Sequence, residues 1–274
     1  MGGPEGVRIF LRVPSEEEAV RWRFRDATAA LGERAREPAT AIALWDLDHD
    51  GDLDIFAGGA RNRVFRTVVE QPGPATRELA FAEIAAQIGL EAPPARDALI
   101  LDVEDDQDVD LLVASDTEGA WFANLRMLRF ERKELPGGAP LAAGDVDNDQ
   151  LEEVLAGGRL LQWDGSRWRT LGERLALLDL DGDGVFDPEP LLGIEPPGSV
   201  LRAVGADLNR DGDTDLLLLT ERGLDLYLST PERPAAWLDV RPRGRGTNRA
   251  GIGVRVALYA GDLRATATVR DGLL

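Results

Sequence analysis

The residues best suited to do chemistry in this sequence are carboxylates, and they are concentrated in five nine-residue segments. These segments hold 24 of the 50 aspartate and glutamate residues. Numbered loops 1 to 5, they read DLDHDGDLD from Asp46, DVEDDQDVD from Asp102, DVDNDQLEE from Asp145, DLDGDGVFD from Asp179 and DLNRDGDTD from Asp207. Each has an oxygen-bearing side chain at positions 1, 3, 5 and 9, which is typical of a loop that binds a hard cation.

Calcium is the cation that this pattern favours. Ca²⁺ takes six to eight oxygen ligands at about 2.3–2.6 Å. Side chains at positions 1, 3 and 5 of a tight loop can point to one centre, the carbonyl of position 7 adds an oxygen, and the carboxylate of position 9 closes the shell. The sequence thus predicts up to five Ca²⁺ sites. The predicted ligands are Asp46, Asp48, Asp50, Asp52 and Asp54; Asp102, Glu104, Asp106, Asp108 and Asp110; Asp145, Asp147, Asp149, Leu151 and Glu153; Asp179, Asp181, Asp183, Val185 and Asp187; Asp207, Asn209, Asp211, Asp213 and Asp215.

The five loops do not fit the pattern equally well. Loops 1, 4 and 5 have glycine at position 6, where a positive φ would turn the chain back. Loops 2 and 3 have Gln107 and Gln150 there, and a residue with a side chain costs about 1 kcal/mol or more of strain in that conformation. We therefore expect loops 1, 4 and 5 to be occupied before loops 2 and 3.

Two other interpretations of the loops are weaker. An EF-hand or a dockerin-like loop also begins D-x-D-x-D-G, but it needs an acidic ligand at position 12 and flanking helices. Position 12 in the five loops is Ala57, Val113, Ala156, Pro190 and Leu218. Plain Asp/Gly turns without metal are the second alternative, and five of them would leave clustered carboxylates repelling one another at close range.

The elements that must position these loops are short strands. Small apolar residues precede each loop, and an apolar run follows loops 1, 2, 3 and 5, as in Ile55 to Ala57. Short apolar runs bounded by turn residues are typical of buried strands, so each loop is predicted to join two strands of a hairpin. The loops start 56, 43, 34 and 28 residues apart, and one four-stranded propeller blade takes roughly 40–50 residues.

The predicted fold class is therefore an all-β β-propeller of about 5–7 blades, with a short β segment at the C-terminus. A second repeat supports this interpretation, because FRDATAALG from Phe24 and FAEIAAQIG from Phe81 precede loops 1 and 2 at nearly the same offset. A proline-containing stretch at 231–236 marks a boundary. We predict a propeller over 1–230, a linker over 231–236 and a β segment over 237–274.

The composition limits what the protein can do. A net charge of −19 argues against nucleic acid or an anionic membrane as partner, and no stretch reaches the 18 apolar residues of a membrane span. There is no cysteine, and His49, the one histidine, lies at position 4 of loop 1, where a side chain is expected to point to solvent. No nucleophile elbow or phosphate-binding loop is present. The sequence shows no catalytic constellation and predicts no enzyme.

The D-x-[DN]-x-D-G-x-x-D loop between apolar strands resembles the FG-GAP and VCBS repeats of integrin α-chain propellers, over roughly residues 20–230. The segment 237–258 resembles the start of the ASPIC/UnbV domain, which follows such repeats in secreted bacterial proteins and in a cartilage acidic protein. The residues that carry this second resemblance are Trp237, Leu238, Val240, Gly244, Asn248, Arg249, Gly251, Ile252, Gly253, Arg255 and Val256. The resemblance implies a secreted or periplasmic protein.

Two functions remain open at this point. The first is an extracellular adhesion, binding or scaffold module, in which structural Ca²⁺ ions hold the blades and the loops face a protein or glycan ligand. The alternative is a propeller-based polysaccharide lyase or hydrolase, or an accessory subunit of a secreted enzyme. Such lyases depend on histidine and tyrosine, and this chain has one His and two Tyr, which favours the binding module.

Overall fold

The protein is almost entirely β-structure, as the sequence predicts. The computed structural model describes residues 2–15, 22–68, 79–91, 93–145, 151–157, 159–172, 200–212, 214–221, 223–228, 238, 240–244, 248, 250–261 and 263–269. Strands hold about half of the described residues and helices only a few of them, and four small sheets are arranged in a ring like the blades of a propeller. The predicted fold class is therefore confirmed.

Each sheet is an antiparallel meander of consecutive strands. Blade A contains β5 (Ala41–Trp45), β6 (Asp54–Gly58), β7 (Arg63–Val68) and β8 (Ala80–Glu83); blade B contains β9 (Asp97–Leu101), β10 (Asp110–Ala114), β11 (Gly119–Asn124) and β12 (Phe130–Leu135); blade C contains β13 (Leu141–Gly144), β14 (Glu153–Ala156), β15 (Arg159–Trp163) and β16 (Trp168–Gly172); blade D contains β17 (Val200–Ala206), β18 (Asp215–Thr220) and β19 (Gly223–Tyr227). The first strands of successive blades contact one another, β5 with β9, β9 with β13, and β13 with β17.

The core consists of side chains packed between blade faces. In β10 every residue is buried, because successive side chains point to opposite faces and both faces are covered. Leu111 and Val113 pack in a cluster with blade A residues such as Trp45 and Phe56. The alternate residues of β10 instead join the cluster shared with blade C, so β10 is apolar from Leu111 to Ala114 rather than alternating.

Three of the tryptophans serve this packing. Trp121 is fully buried and lies in edge-to-face contact with Trp163 and Trp168, at ring-centroid distances of 4.9 and 5.8 Å. Such pairs add about 0.5–1.5 kcal/mol beyond the area that they bury. These three rings therefore join blades B and C, whereas Trp22 is 41% exposed.

The acidic loops occupy the predicted place in the hairpins. Loop 1 joins β5 to β6, loop 2 joins β9 to β10, loop 3 joins β13 to β14, and loop 5 joins β17 to β18, in each case between antiparallel partners. Every one of these loops follows the first strand of its blade. Loop 4 lies outside the described residues. The count of four blades therefore applies only to the described part of the chain.

The second repeat seen in the sequence is also a structural repeat. A hairpin of β3 (Phe10–Pro14) and β4 (Trp22–Asp26) is followed by a 3₁₀ turn at Thr28–Leu31 and then by blade A. In the same way β7 and β8 are followed by helix α1 (Ala85–Ile88) and then by blade B. In the described residues no helix has the length and apolar composition needed to cross a membrane.

The C-terminal segment forms a hairpin that lies against the loops. Its strands are β20 (Arg255–Ala260) and β21 (Leu263–Thr268), and the remaining short pair at the N-terminus is β1 (Gly2–Gly3) with β2 (Gly6–Val7). Ile252, which precedes β20, packs against the cluster between blades A and B. A Cβ at Gly253 would lie 3.3 Å from Cβ of Trp45, so this segment closely approaches the start of loop 1.

Candidate metal centre

The backbone of loop 1 is folded around its own carboxylates. The amides of Asp50 and Gly51 donate to the two oxygens of Asp46, at 3.0 and 2.9 Å. The amide of Leu47 donates to Oδ2 of Asp54 at 2.9 Å, and the amide of Thr67 in β7 donates to Oδ1 at 2.7 Å. Positions 1 and 9 therefore fix the loop even before any ion is considered.

Loop 2 has the same four hydrogen bonds, and loop 5 has three of them among the described residues. In loop 2, Asp102 accepts from the amides of positions 5 and 6, both at 3.0 Å, and Asp110 accepts from the amides of position 2 and of Asn124 at 3.2 and 2.7 Å. In loop 5, Asp207 accepts from positions 5 and 6 at 3.2 and 3.0 Å, and Asp215 accepts from position 2 at 2.7 Å. The loops that repeat in sequence therefore also repeat these backbone hydrogen bonds to the carboxylates of positions 1 and 9.

Two positions of loops 1, 2 and 5 have left-handed backbone. At position 6, Gly51 has φ +89°, Gln107 has φ +79° and Gly212 has φ +97°, which confirms that the turn needs positive φ there. At position 4 the φ of His49 and of Asp105 is +61°, although only loop 4 has a glycine at this position, Gly182. Loop 2 therefore has a side chain in a conformation that favours glycine.

The strain in loop 2 can be measured by substitution. Gln107 is exposed, so Gln107→Gly should raise the free energy of unfolding by about 0.5–1 kcal/mol, because glycine adopts this φ without a steric cost. The matched exchange is Gly51→Gln, whose Cβ would have no neighbour within 4 Å, and it should lower stability by a similar amount. Urea denaturation of both variants tests this, and two changes of the same sign would contradict it.

Loop 1 brings its predicted ligands together. Asp46, Asp48 and Asp50 offer carboxylate oxygens that all lie within 4.8 Å of one another, close enough to share one ion with metal–oxygen distances of about 2.3–2.6 Å. Oδ1 of Asp48 is buried and has no hydrogen-bond partner. A buried carboxylate oxygen without a donor is costly, and a cation would satisfy it. The residues present therefore fit a metal ion.

The position-9 carboxylates are in an environment that disfavours their own charge. Burial, together with the charges of Asp48 and Asp50, raises the pKa of Asp54 to about 7 despite the two amide hydrogen bonds that lower it. Burial, followed by the charge of Glu104, raises the pKa of Asp110 well above its ordinary value. An added cation would reverse this penalty, since a nearby opposite charge favours the ionised carboxylate.

Protein cations also contact the loops, and the sequence did not reveal them. Arg66 Nε lies 2.5 Å from Oδ2 of Asp48 in loop 1, while Arg126 Nε lies 2.5 Å from Oδ2 of Asp108 in loop 2. His49 is half-exposed, and its Nε2 lies 3.4 Å from Oδ1 of Asp108. His49 is therefore exposed, as the sequence predicts, and it also links loop 1 to loop 2.

The remaining predicted ligands are placed as follows. In loop 3 Glu153 is fully buried and its Oε1 accepts from Nε2 of Gln162 at 2.8 Å, and Leu151 is 49% exposed. In loop 5 Asn209 contacts Asp211 through both its amide atoms, at 2.6 and 3.1 Å. Residues Asp147, Asp149, Asp213 and all of loop 4, namely Asp179, Asp181, Asp183, Val185 and Asp187, lie outside the described residues.

Comparison with known proteins adds little to this picture. No protein-family model matches the sequence, and no curated protein matches it. Among the solved structures it matches the crystal structure of the V. cholerae biofilm matrix protein Bap1 with 14% identity and a TM-score of 0.24, over 81% of this chain and 44% of that one. The chain thus spans less than half of that protein, and so low a TM-score carries no argument. The resemblance to FG-GAP and VCBS repeats stays a prediction.

Proposed function

We propose that this protein is a calcium-binding β-propeller that acts as an extracellular binding or scaffold module, in which the ions are structural. The observation that carries the proposal is loop 1, where three carboxylates lie within 4.8 Å of one another and a buried oxygen of Asp48 lacks a hydrogen-bond donor. The same hydrogen-bonded frame recurs in loops 2 and 5.

The ligand chemistry favours calcium over other metals. The predicted ligands of loop 1 are all oxygen atoms, whereas zinc sites in proteins use mainly cysteine and histidine. Mg²⁺ demands near-ideal octahedral geometry at about 2.0–2.1 Å, which suits a loop of several aspartates less well. Ca²⁺ accepts six to eight oxygens in flexible geometry, and extracellular modules bind it with dissociation constants of about 10⁻⁴–10⁻³ M.

The place of the loops explains why the ions would be structural. Each described loop joins the first two strands of its blade, so an ion bound there would hold the hairpin ends together. The same feature supports membership of the FG-GAP and VCBS repeat proteins and, with it, a location outside the cytoplasm. A protein or glycan partner suits a scaffold of this charge better than nucleic acid does, since a net charge of −19 repels phosphate backbones.

Calcium should raise the melting temperature of the protein. An ion that binds only the folded state at about 100 times its dissociation constant adds about 2.7 kcal/mol, which for a chain of this size corresponds to roughly 5–10 °C. Calorimetry in calcium and in excess chelator measures the shift, and metal analysis of the dialysed protein gives the bound ion. Identical melting curves in the two buffers would show that the loops are turns without metal.

The binding-module part of the proposal has a separate test. Binding of the calcium-loaded protein to an array of neutral and acidic glycans, repeated with chelator, should show retention without any change in the glycan. Release of new reducing ends from any polysaccharide would contradict a non-enzymatic function and would favour the lyase or hydrolase alternative instead.

A further inference from the structure

The C-terminal hairpin reaches into loop 2 through a single buried arginine. Arg255, the first residue of β20, places Nε 3.2 Å from Oδ2 of Asp102, which is position 1 of the loop. Its Nη2 contacts Oδ1 of Asp105, and Oγ1 of Thr266 in β21 lies 3.3 Å from the same oxygen. Both strands of the hairpin therefore contact this one loop.

This ion pair is shielded from water. The side chain of Arg255 is 11% exposed and that of Asp102 is 3% exposed, so bulk water and salt screen the pair much less than a surface pair. Burial raises the pKa of Asp102, and the charge of Arg255 acts in the opposite direction. Among the described residues, the guanidinium of Arg255 is thus the positive charge that pairs with position 1 of loop 2.

Two other acids of loop 2, Glu104 and Asp108, also face protein cations, although Oε2 of Glu104 is buried without a hydrogen-bond partner. Lys133 Nζ lies 3.3 Å from Oε1 of Glu104, and Arg126 pairs with Asp108. In loop 1 Arg66 contacts Asp48 and Asp50, but the first carboxylate, Asp46, has no arginine or lysine within 4.0 Å in the described part of the chain. Among the described residues, moreover, it is loop 1 and not loop 2 whose acidic oxygens meet within 4.8 Å.

We infer that loop 2 binds the protein's own C-terminal hairpin in place of a calcium ion, with Arg255 supplying the positive charge. A divalent ion at Asp102 would have to lie beside the guanidinium, and like charges repel strongly at a buried site. Loop 2 is then a docking site that fixes the hairpin across blades A and B, and loop 1 beside it is the metal site.

Only one part of this inference rests on the proposed function, namely the number of calcium ions that each chain binds. Ion binding and docking of the hairpin are therefore measured separately. The first readout is bound calcium per chain, measured by equilibrium dialysis of the full protein. Asp46→Asn should remove one ion, whereas Asp102→Asn should leave the count unchanged. Loss of one ion in Asp102→Asn would overturn the inference, because loop 2 would then be a metal site.

The second readout is hydrogen exchange of the amides in β20 and β21. Arg255→Gln should speed their exchange at least tenfold, and so should Asp105→Asn, which changes a position that is not a predicted metal ligand and leaves all the ligands of loop 2 in place. Arg25→Gln, an exposed arginine elsewhere, is the control and should have no effect on the hairpin. Unchanged exchange in both loop 2 variants would overturn the docking.

The two readouts separate the possible failures. If the wild-type protein binds no calcium, the proposed function fails, yet the exchange experiment still decides whether Arg255 docks the hairpin. If Arg255→Gln does not fold, Asp105→Asn gives the same test from the other side of the ion pair. Faster exchange in Asp105→Asn supports the inference, and wild-type exchange in that variant contradicts it.

Discussion

Replacing Arg63 by methionine is expected to lower the free energy of unfolding by about 3–5 kcal/mol. Arg63, in β7 of blade A, is fully buried, and its guanidinium donates to the carbonyl oxygens of Arg34, Glu37 and Pro38 at 2.8, 2.6 and 2.8 Å. Each hydrogen bond from a charged donor contributes about 1.5–3 kcal/mol. Methionine preserves much of the buried volume but leaves all three carbonyls without this donor.

The expected loss for Arg63→Met is smaller than the sum of its three hydrogen bonds, because burying the guanidinium charge is itself unfavourable. Burial lowers the pKa of Arg63, so part of what the three hydrogen bonds contribute is offset by lost hydration of the guanidinium. The variant removes that penalty together with the bonds. The three carbonyls belong to the segment that leads into β5, so we expect this segment to loosen first and the start of loop 1 with it.

Arg61→Met is the matched control for this substitution. Arg61 lies two residues away, and its side chain is 58% exposed and paired with Glu91. Exposed ion pairs contribute about 0–1 kcal/mol, so this variant should stay within that range. Urea denaturation of both variants, in calcium and in chelator, gives the comparison. Equal losses in the two variants would mean that the carbonyls around Arg63 find other donors.

The sequence predicted the local features of this fold because they depend on neighbouring residues. An Asp/Gly loop between two apolar runs predicts a hairpin whatever surrounds it, and loops 1, 2, 3 and 5 do join paired strands. The positive φ at position 6 follows from the turn itself, so it appears even in loop 2, where Gln107 replaces glycine. The period of the loops likewise predicted blades.

The cations around the loops could not be predicted in this way. Arg66 and Arg126 lie in or after a later strand of the same blade, and Arg255 comes from the far end of the chain, so the contacts depend on how hairpins pack. In the sequence Arg255 stood out only through the ASPIC/UnbV resemblance. The contact of His49 with Asp108 could not be predicted for the same reason, since it requires loops 1 and 2 to be adjacent, which no spacing in one loop indicates.

The position-9 aspartate has two roles that the sequence does not separate. The ligand pattern treats Asp54 as one more oxygen donor, yet in the structure its two oxygens accept the amides of Leu47 and Thr67 and the residue is 1% exposed. Asp50 differs, because its side chain is 38% exposed and one oxygen accepts only the amide of Asp52, at 2.9 Å. Removing the carboxylate of Asp54 therefore tests the hydrogen bonds of the hairpin, whereas removing that of Asp50 tests the bound ion.

Asp54→Ala is expected to lower the free energy of unfolding by about 2–3 kcal/mol even in chelator. Two buried amides lose their acceptor, which costs about 1–3 kcal/mol each. Part of this loss is offset because the variant no longer buries a carboxylate. Asp50→Asn, which removes the same charge but keeps the acceptor for Asp52, should stay within about 0.5 kcal/mol in chelator. In calcium it should lose the contribution of the ion at loop 1, about 2–3 kcal/mol at saturation.

Asp116→Asn supplies the control for loss of one negative charge outside the loops, since that side chain is 67% exposed. Urea denaturation gives the free energy of unfolding of the three variants in calcium and in chelator, and comparing the two buffers separates the effect of the ion from that of the hydrogen bonds. A calcium-independent loss in Asp50→Asn would make loop 1 a hydrogen-bonded turn without metal. A loss in Asp54→Ala that appears only in calcium would instead show that its two amides find other acceptors, so that the ion and not the carboxylate holds the hairpin.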